Sequence, residues 1–116
     1  MNSETILESL SKKLKETELE VFYGIADGDN NLAKYIVYGR DTIVINENKL
    51  GFTDKYEVVI VCENYISQEL IDDVIEKVEQ CGLRLSNENM EFSYFEKKDI
   101  VMELLRIKFI RARRRH

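Results

Sequence analysis

The side chains that most often carry acid–base or phosphate chemistry are scarce in this sequence. Its single histidine, His116, is the last of 116 residues, a position where chains usually fray, so a histidine base or histidine metal cluster is not expected. The five glycines stand apart from one another, and no Walker-type or dinucleotide-binding loop occurs. A calcium loop beginning at Asp27 would need a bidentate glutamate at its twelfth position, which is Tyr38. We therefore expect no site of these kinds.

Carboxylates and thiols are the remaining candidates for chemistry. Glu91, Glu96 and Glu103 could meet across a hairpin as a glycosidase- or nuclease-like carboxylate pair, but nothing in their spacing requires it, and a solvated strand face is the expectation. Cys62 lies in an apolar strand-like run and Cys81 ends a helical pattern, which indicates two buried, reduced core thiols. The sequence thus predicts a protein that is not an enzyme and that needs no metal or cofactor.

Two stretches repeat apolar residues at the spacing of a helix. The first covers about residues 4–16 after an N-cap at Asn2 or Ser3, with lysines near its end, where cations suit the helix dipole. The second follows Ser67 as N-cap and closes at Gly82, which is expected to be a left-handed C-cap. Both stretches carry an apolar stripe that must pack against other elements.

Runs of β-branched and aromatic residues predict the strands. They cover residues 19–25, 34–46 with a bulge or bend at 39–41, 55–63, 90–95 and 100–110, with a turn at 97–99 and a loop at 46–54. The order α-β-β-β-α-β-β indicates a single α+β domain over residues 1–110. We expect a mostly antiparallel sheet of four or five strands with both helices on one face, followed by a basic tail, residues 111–116.

The face of the sheet away from the helices is predicted to be apolar. Val59 and Val61 point away from the side that takes Val58 and Ile60, and the last strand is likewise apolar on both sides. A protein that works alone should have a polar second face. This surplus of apolar strand surface predicts a protein interface, although the loop at 46–54 could fold over part of it.

Charge is distributed unevenly along the chain. The net charge is −5 and all 22 acidic residues precede Arg106, whereas the last eleven residues carry six basic ones. This arrangement suits head-to-tail contact between copies or docking on an acidic surface, with a solubilising tail as the alternative. Most tyrosines are expected to pack in the sheet and some to anchor an interface. The candidate interface residues are Tyr23, Tyr35, Tyr38, Arg106, Lys108, Arg111, Arg113 and Arg114.

Several segments, taken in order, resemble a known family. VFYGIADGD, KYIVYGR, DKYEVVIVCEN, ELIDDVIEKVEQCGLRLS and SYFEKKDIVMELLRIKFI are similar to segments of the small tail-completion, or tail-terminator, proteins of long-tailed bacteriophages and prophages. The resemblance covers about residues 4–110. The chain departs from the family by its arginine-rich end and by lacking the proline common before YIVY, where Ala33 and Lys34 stand.

The resemblance implies a structural role in virion assembly. Such proteins form a ring, typically a hexamer, at the head-proximal end of the tail tube, where the ring stops tube polymerisation and faces the head connector. The implied partners are further copies of the chain, the major tail tube protein and the head connector protein. The implied location is the virion, and the host bacterial cytoplasm during assembly.

Two other hypotheses for the function are consistent with the sequence. One is a head-closure or connector component, which would share the size of this chain and its lack of chemistry. The other is a cytoplasmic binding domain that places Arg111 to Arg115 on nucleic acid, against which stand the acidic body and the absence of aromatics among those arginines. No run approaches the ~20 apolar residues of a membrane span, so no membrane contact is expected.

Overall fold

The computed structural model describes residues 2–114 as two helices and one six-stranded sheet. The elements are α1 (Ser3–Lys15), β1 (Glu20–Tyr23), β2 (Lys34–Ile45), β3 (Gly51–Glu63), α2 (Gln68–Glu79), β4 (Arg84–Leu85), β5 (Glu91–Lys97) and β6 (Ile100–Arg114). The α+β class and the order of elements are confirmed. The expected strand number of four or five is corrected to six, because residues 84–85 pair as a short strand of their own.

Both helices begin at the predicted caps. The Asn2 side chain accepts a hydrogen bond from the Thr5 amide, and the Ser67 side chain accepts one from the Leu70 amide, so each cap satisfies a backbone donor that the helix leaves unpaired. Gly82 has a φ of +89° and donates its amide to the Glu79 carbonyl. This left-handed glycine closes the α2 turn at little steric cost, as predicted.

The sheet runs β1-β2-β3-β6-β4, with β5 also paired to β6. β1 joins β2 in parallel, and every other pairing is antiparallel. β4 pairs with residues 109–110 of β6 and β5 with residues 100–106, so the two short strands follow one another along the same edge. The predicted bulge lies between Arg40 and Thr42 of β2. The sheet is therefore five strands wide, although it contains six.

The main core lies between the helices and one face of the sheet, here called the helix face. Buried residues from α1 (Ile6, Leu10, Leu14) and from α2 (Ile71, Val74, Val78) join one cluster with sheet residues that include Ile36, Ile60, Ile107 and Phe109. Both helices thus pack on the same side of the sheet, as their apolar stripes require.

The opposite face of the sheet corrects the sequence analysis. Val59 and Val61 do point away from the helices, but they are only 7% and 1% exposed. They form a second small core with Tyr35 and Met102, against which Ala26 and Leu32 pack from the connection between β1 and β2. The chain covers this apolar surface with residues 26–32, and the 46–54 segment contributes nothing to that cover. The apolar surface around Val59 and Val61 is therefore closed within the chain.

Three strands continue past the helices and form what we call the arm: residues 41–45 of β2, 51–54 of β3 and 111–114 of β6. Residues 51–54 were expected in a loop and residues 111–114 in a tail, but they pair with each other from Gly51↔Arg114 to Asp54↔Arg111. Residues 115–116 lie outside the described part of the chain. At ~3.3 Å per strand residue and ~1.5 Å per helix residue, 13-residue β3 is more than twice as long as 12-residue α2. The helices therefore leave the arm uncovered.

Candidate interaction surfaces

The helix face of the arm carries exposed apolar side chains. Cross-strand pairs share a face of the sheet, so Ile43 lies beside Asp54 and Ile45 lies beside Phe52. Ile43 is 60% exposed and Ile45 is 64% exposed, on the same side of the sheet that α1 and α2 cover elsewhere. The arm thus presents a strip of sheet without the helical layer that the remainder of the face has.

Asp54 and Arg113 form the polar centre of this strip. Arg113 Nε donates to Asp54 Oδ2 at 2.6 Å, and the guanidinium carbon of Arg113 lies 4.4 Å from the centre of the Phe52 ring. The hydrogen bond to Asp54 raises the pKa of Arg113, so its charge is retained. Asp54 is 6% exposed, and its Oδ1 has no hydrogen-bond partner among residues 2–114. The pair anchors the β6 end to β3.

A cleft of about 880 Å³ lies between the arm and the start of α1. The Ser3 and Tyr56 hydroxyls, 3.2 Å apart, link the helix to the sheet here. The charged residues of the lining are five basic and two acidic: Arg40, Lys55, Arg111, Arg113, Arg114, Asp41 and Asp54. The cleft is therefore positive, in a chain whose net charge is −5.

Arg106 and Lys108 are engaged within the chain, on the face opposite the helices. Arg106 Nη1 donates to Glu57 Oε1 at 2.9 Å, and Lys108 Nζ donates to Glu57 and also to Asp41 Oδ2, the latter at 3.1 Å. Burial alone would lower the pKa of Lys108, but the hydrogen bonds to these two carboxylates outweigh it, and the pKa is raised. These two predicted interface residues balance acids of their own sheet.

The three candidate tyrosines differ in what they offer a partner. Tyr35 and Tyr38 are each 8% exposed and belong to the second and the main core respectively. Tyr23 is 52% exposed and meets the Tyr38 ring edge-on, with centroids 5.4 Å apart. Only Tyr23 of the three has substantial free surface, because it ends β1 at the edge of the sheet.

The outer surface of α2 is acidic. Glu69, Asp72, Glu76 and Glu79 follow the spacing of one helical face and are all exposed, opposite the buried Ile71, Val74 and Val78. Lys77 is tied to Asp73 at 2.7 Å, and this hydrogen bond raises the pKa of Lys77. Sequence reasoning missed this surface as a site, although the three- and four-residue spacing of the acids is the signal that would reveal it.

The β5–β6 hairpin exposes a second apolar region. Its exposed large side chains are Phe92, Tyr94, Phe95, Ile100 and Val101. In the described part of the chain, β5 pairs only with β6, so its outer edge is open. An open edge with aromatic residues can accept another strand. Lysine side chains at the turn contact Asn30 and Asn31 of the β1–β2 connection.

Of the three acids of this hairpin, Glu91 lies on the opposite face of the sheet from Glu96 and Glu103. Glu91 and Glu96 lie an odd number of residues apart on β5 and therefore point to opposite faces. Glu103 is 8% exposed, accepts a hydrogen bond from the Ile66 amide at 2.8 Å and binds the Tyr94 hydroxyl, which raises the pKa of Tyr94. No group of side chains suited to hold a metal ion occurs among residues 2–114.

Both cysteines are free and buried in the main core, as predicted. Burial raises the pKa of the Cys62 thiol and that of the Cys81 thiol, because a thiolate is poorly solvated there. Thiols of this kind are inert packing groups.

Comparison with known proteins adds no relative. No protein-family profile and no curated protein matches the chain. Within residues 2–114, neither helix combines the length and the apolar character needed to span a bilayer. The surfaces themselves, and the resemblance described above, are what bear on function.

Proposed function

We propose that the chain is a structural subunit of phage or prophage assembly: a tail terminator that forms a ring on the tail tube and joins the tube to the head connector. The observation that carries the proposal is the presence of two unlike exposed surfaces on one small domain, the positive cleft at the arm and the acidic outer face of α2. Unlike surfaces favour heterologous contacts, and such contacts generate rings when the rotation between copies closes.

The uncovered arm supports the same proposal. Ile43, Ile45 and Leu50 are large apolar residues that the fold leaves exposed at one end of a molecule about 50 Å long. Apolar side chains grouped with charged ones are typical of protein interfaces. A ring subunit requires surfaces for its neighbours and for the tube, and the arm and the β5–β6 hairpin are available for them.

Deletion of the gene from its phage or prophage tests the proposal. The expected result is tails of uncontrolled length that do not join heads, with wild-type particles carrying the protein at the head-proximal tail end. Tails of normal length that fail to join heads would favour the head-closure alternative. Unaltered tails and particles free of the protein would contradict both roles.

Nucleic-acid binding is a second candidate that the positive cleft favours. Its lining includes the exposed Arg40 and Arg114, although Arg113 of the same lining is paired with Asp54. Binding to phosphate would weaken steeply as salt rises. The affinity of the chain for DNA or RNA should therefore fall as salt rises and fall again in Arg114→Glu. An affinity that changes with neither would exclude this candidate.

A further inference from the structure

We infer that the positive cleft at the arm receives the acidic outer face of α2 from a second copy of this chain. The inference rests on the proposed ring-forming function, which it deepens by naming the two surfaces in contact. The uncovered arm and the opposite charges of the two surfaces support this contact.

The missing layer is the first argument. α1 and α2 cover the helix face over the main core, whereas Ile43 and Ile45 of the arm are mostly exposed on that same face. A helix laid on the arm would continue the layer that the chain's own helices begin. In α2, Leu70 is only partly buried and lies beside the acidic surface residues, so the helix offers an apolar side chain to these isoleucines.

Charge complementarity is the second argument. The cleft is lined by three more basic than acidic residues, whereas Glu69, Asp72, Glu76 and Glu79 give the outer face of α2 only negative charge. The one lysine nearby, Lys77, is occupied by Asp73. Opposed charge of this kind steers two copies together and sets their orientation.

The dimensions agree with such a contact. Residues 69–79 of α2 span ~15 Å along the helix, and a helix with its side chains is ~10 Å across, while the three strands of the arm span a similar width at ~4.8 Å per strand. A stable contact buries about 800 Å² on each partner, roughly a tenth of the 7566 Å² surface of the chain, so α2 and the arm would form the centre of a wider contact. Because the two surfaces differ, each copy can bind one neighbour on either side.

Charge reversal on each surface tests the inference. Arg40→Glu with Arg114→Glu reverses two exposed cleft residues, and Glu76→Lys with Glu79→Lys reverses two exposed acids near the end of α2, where lysines suit the helix dipole. Sedimentation velocity of the full chain at low salt, from micromolar to millimolar concentration, measures the association. Each double variant should weaken it by at least about tenfold.

Mixing the two variants is the decisive step. An acidic cleft should accept a basic α2, so an equimolar mixture should associate like the wild-type chain although each variant alone does not. Lys12→Glu with Arg84→Glu is the matched control, because it reverses two exposed charges outside the cleft and should associate nearly as the wild type does. Circular dichroism establishes that every variant is folded.

Three results would overturn the inference: a wild-type chain that stays monomeric throughout, reversed variants that associate as the wild type does, or a mixture that shows no restoration. These outcomes are distinct from failure of the proposed function. Charge-dependent association in a protein absent from virions would refute the terminator role alone, whereas virion rings that are indifferent to the reversals would refute the contact alone.

Discussion

At the scale of single residues, Glu103 fixes the segment that leads into α2. It accepts a hydrogen bond from the Ile66 amide and is 8% exposed. Glu103→Ala leaves that amide without its acceptor, so we expect the free energy of unfolding to fall by about 1–3 kcal/mol, as measured by urea denaturation. Glu96→Ala, on the exposed part of the same hairpin, should change it by no more than about 0.5 kcal/mol. Equal losses in the two variants would contradict this role.

The buried thiols predict a dependence of stability on pH. The pKa of Cys62 and that of Cys81 are raised in the folded chain, so the folded state holds these protons when the unfolded state has lost them. Their contribution is complete below the ordinary thiol pKa of 9.0 and is lost as pH rises through the higher folded values.

The measurement is urea denaturation at a series of pH values above neutrality. The free energy of unfolding should decline more steeply above pH 9.0 in the wild type than in a Cys62→Ala, Cys81→Ala variant. The variant will be less stable overall because it leaves cavities, so the slopes are compared rather than the absolute values. Identical slopes would show that the thiols do not carry the effect.

At the scale of elements, the β5–β6 turn contains a strained residue. Lys98 and Asp99 have φ values of +51° and +65°. A two-residue hairpin turn requires positive φ at both positions, but residues with a side chain adopt positive φ at a cost in energy. Asp99→Gly should raise the free energy of unfolding by about 0.5–1 kcal/mol in urea denaturation, because glycine adopts this conformation freely. Asp29→Gly is the control, since Asp29 lies in a turn without positive φ and should gain nothing.

The end of β6 is tested by truncation. Removing the residues after Ile110 takes away the partners of Gly51–Asp54, so backbone amides of residues 51–54 should exchange hydrogen faster in mass spectrometry. Amides of residues 58–62, whose partners remain, serve as the internal control. Unchanged exchange at 51–54 would mean that residues 111–114 behave as the tail that their composition suggested.

The elements also show what sequence can predict here. Caps and hydrophobic periodicity depend on neighbours within a few residues, so α1 and α2 were predicted to within about a turn. The strand at 111–114 depends on pairing with residues about 60 positions earlier, and a run of arginines interrupted by Ala112 has little β-strand character of its own. The pairing of Leu85 with Phe109 is equally nonlocal.

At the scale of the whole molecule, the exposed isoleucines of the arm should matter to association and not to folding. Ile43→Thr with Ile45→Thr removes apolar surface from the arm without adding charge to the positive cleft, and it should weaken concentration-dependent association in sedimentation velocity. Because both side chains are mostly exposed, the free energy of unfolding should change by no more than about 0.5 kcal/mol. Ile25→Thr, at a still more exposed residue, is the matched control and should leave association unchanged. Association that survives the arm substitutions would place the contact elsewhere.

The candidate site was predictable from sequence only in its charge. The excess of basic residues near the end of the chain is evident, and Arg111, Arg113 and Arg114 do line the cleft. Arg40 lies beside them, and Arg106 and Lys108 pair with Glu57, only because of the register of β2, β3 and β6. That register cannot be derived from local sequence. The face opposite the helices was predicted to be open, but the connection formed by residues 26–32 packs over part of it.

The cleft also brings distant parts of the chain together, since Asn2 and Arg114 both contribute to its lining. A tag fused at either end would therefore follow closely on a residue of the lining. A basic or acidic tag there would change the electrostatic potential of the cleft. A label at an exposed residue outside the lining, such as Lys12, would leave the cleft clear.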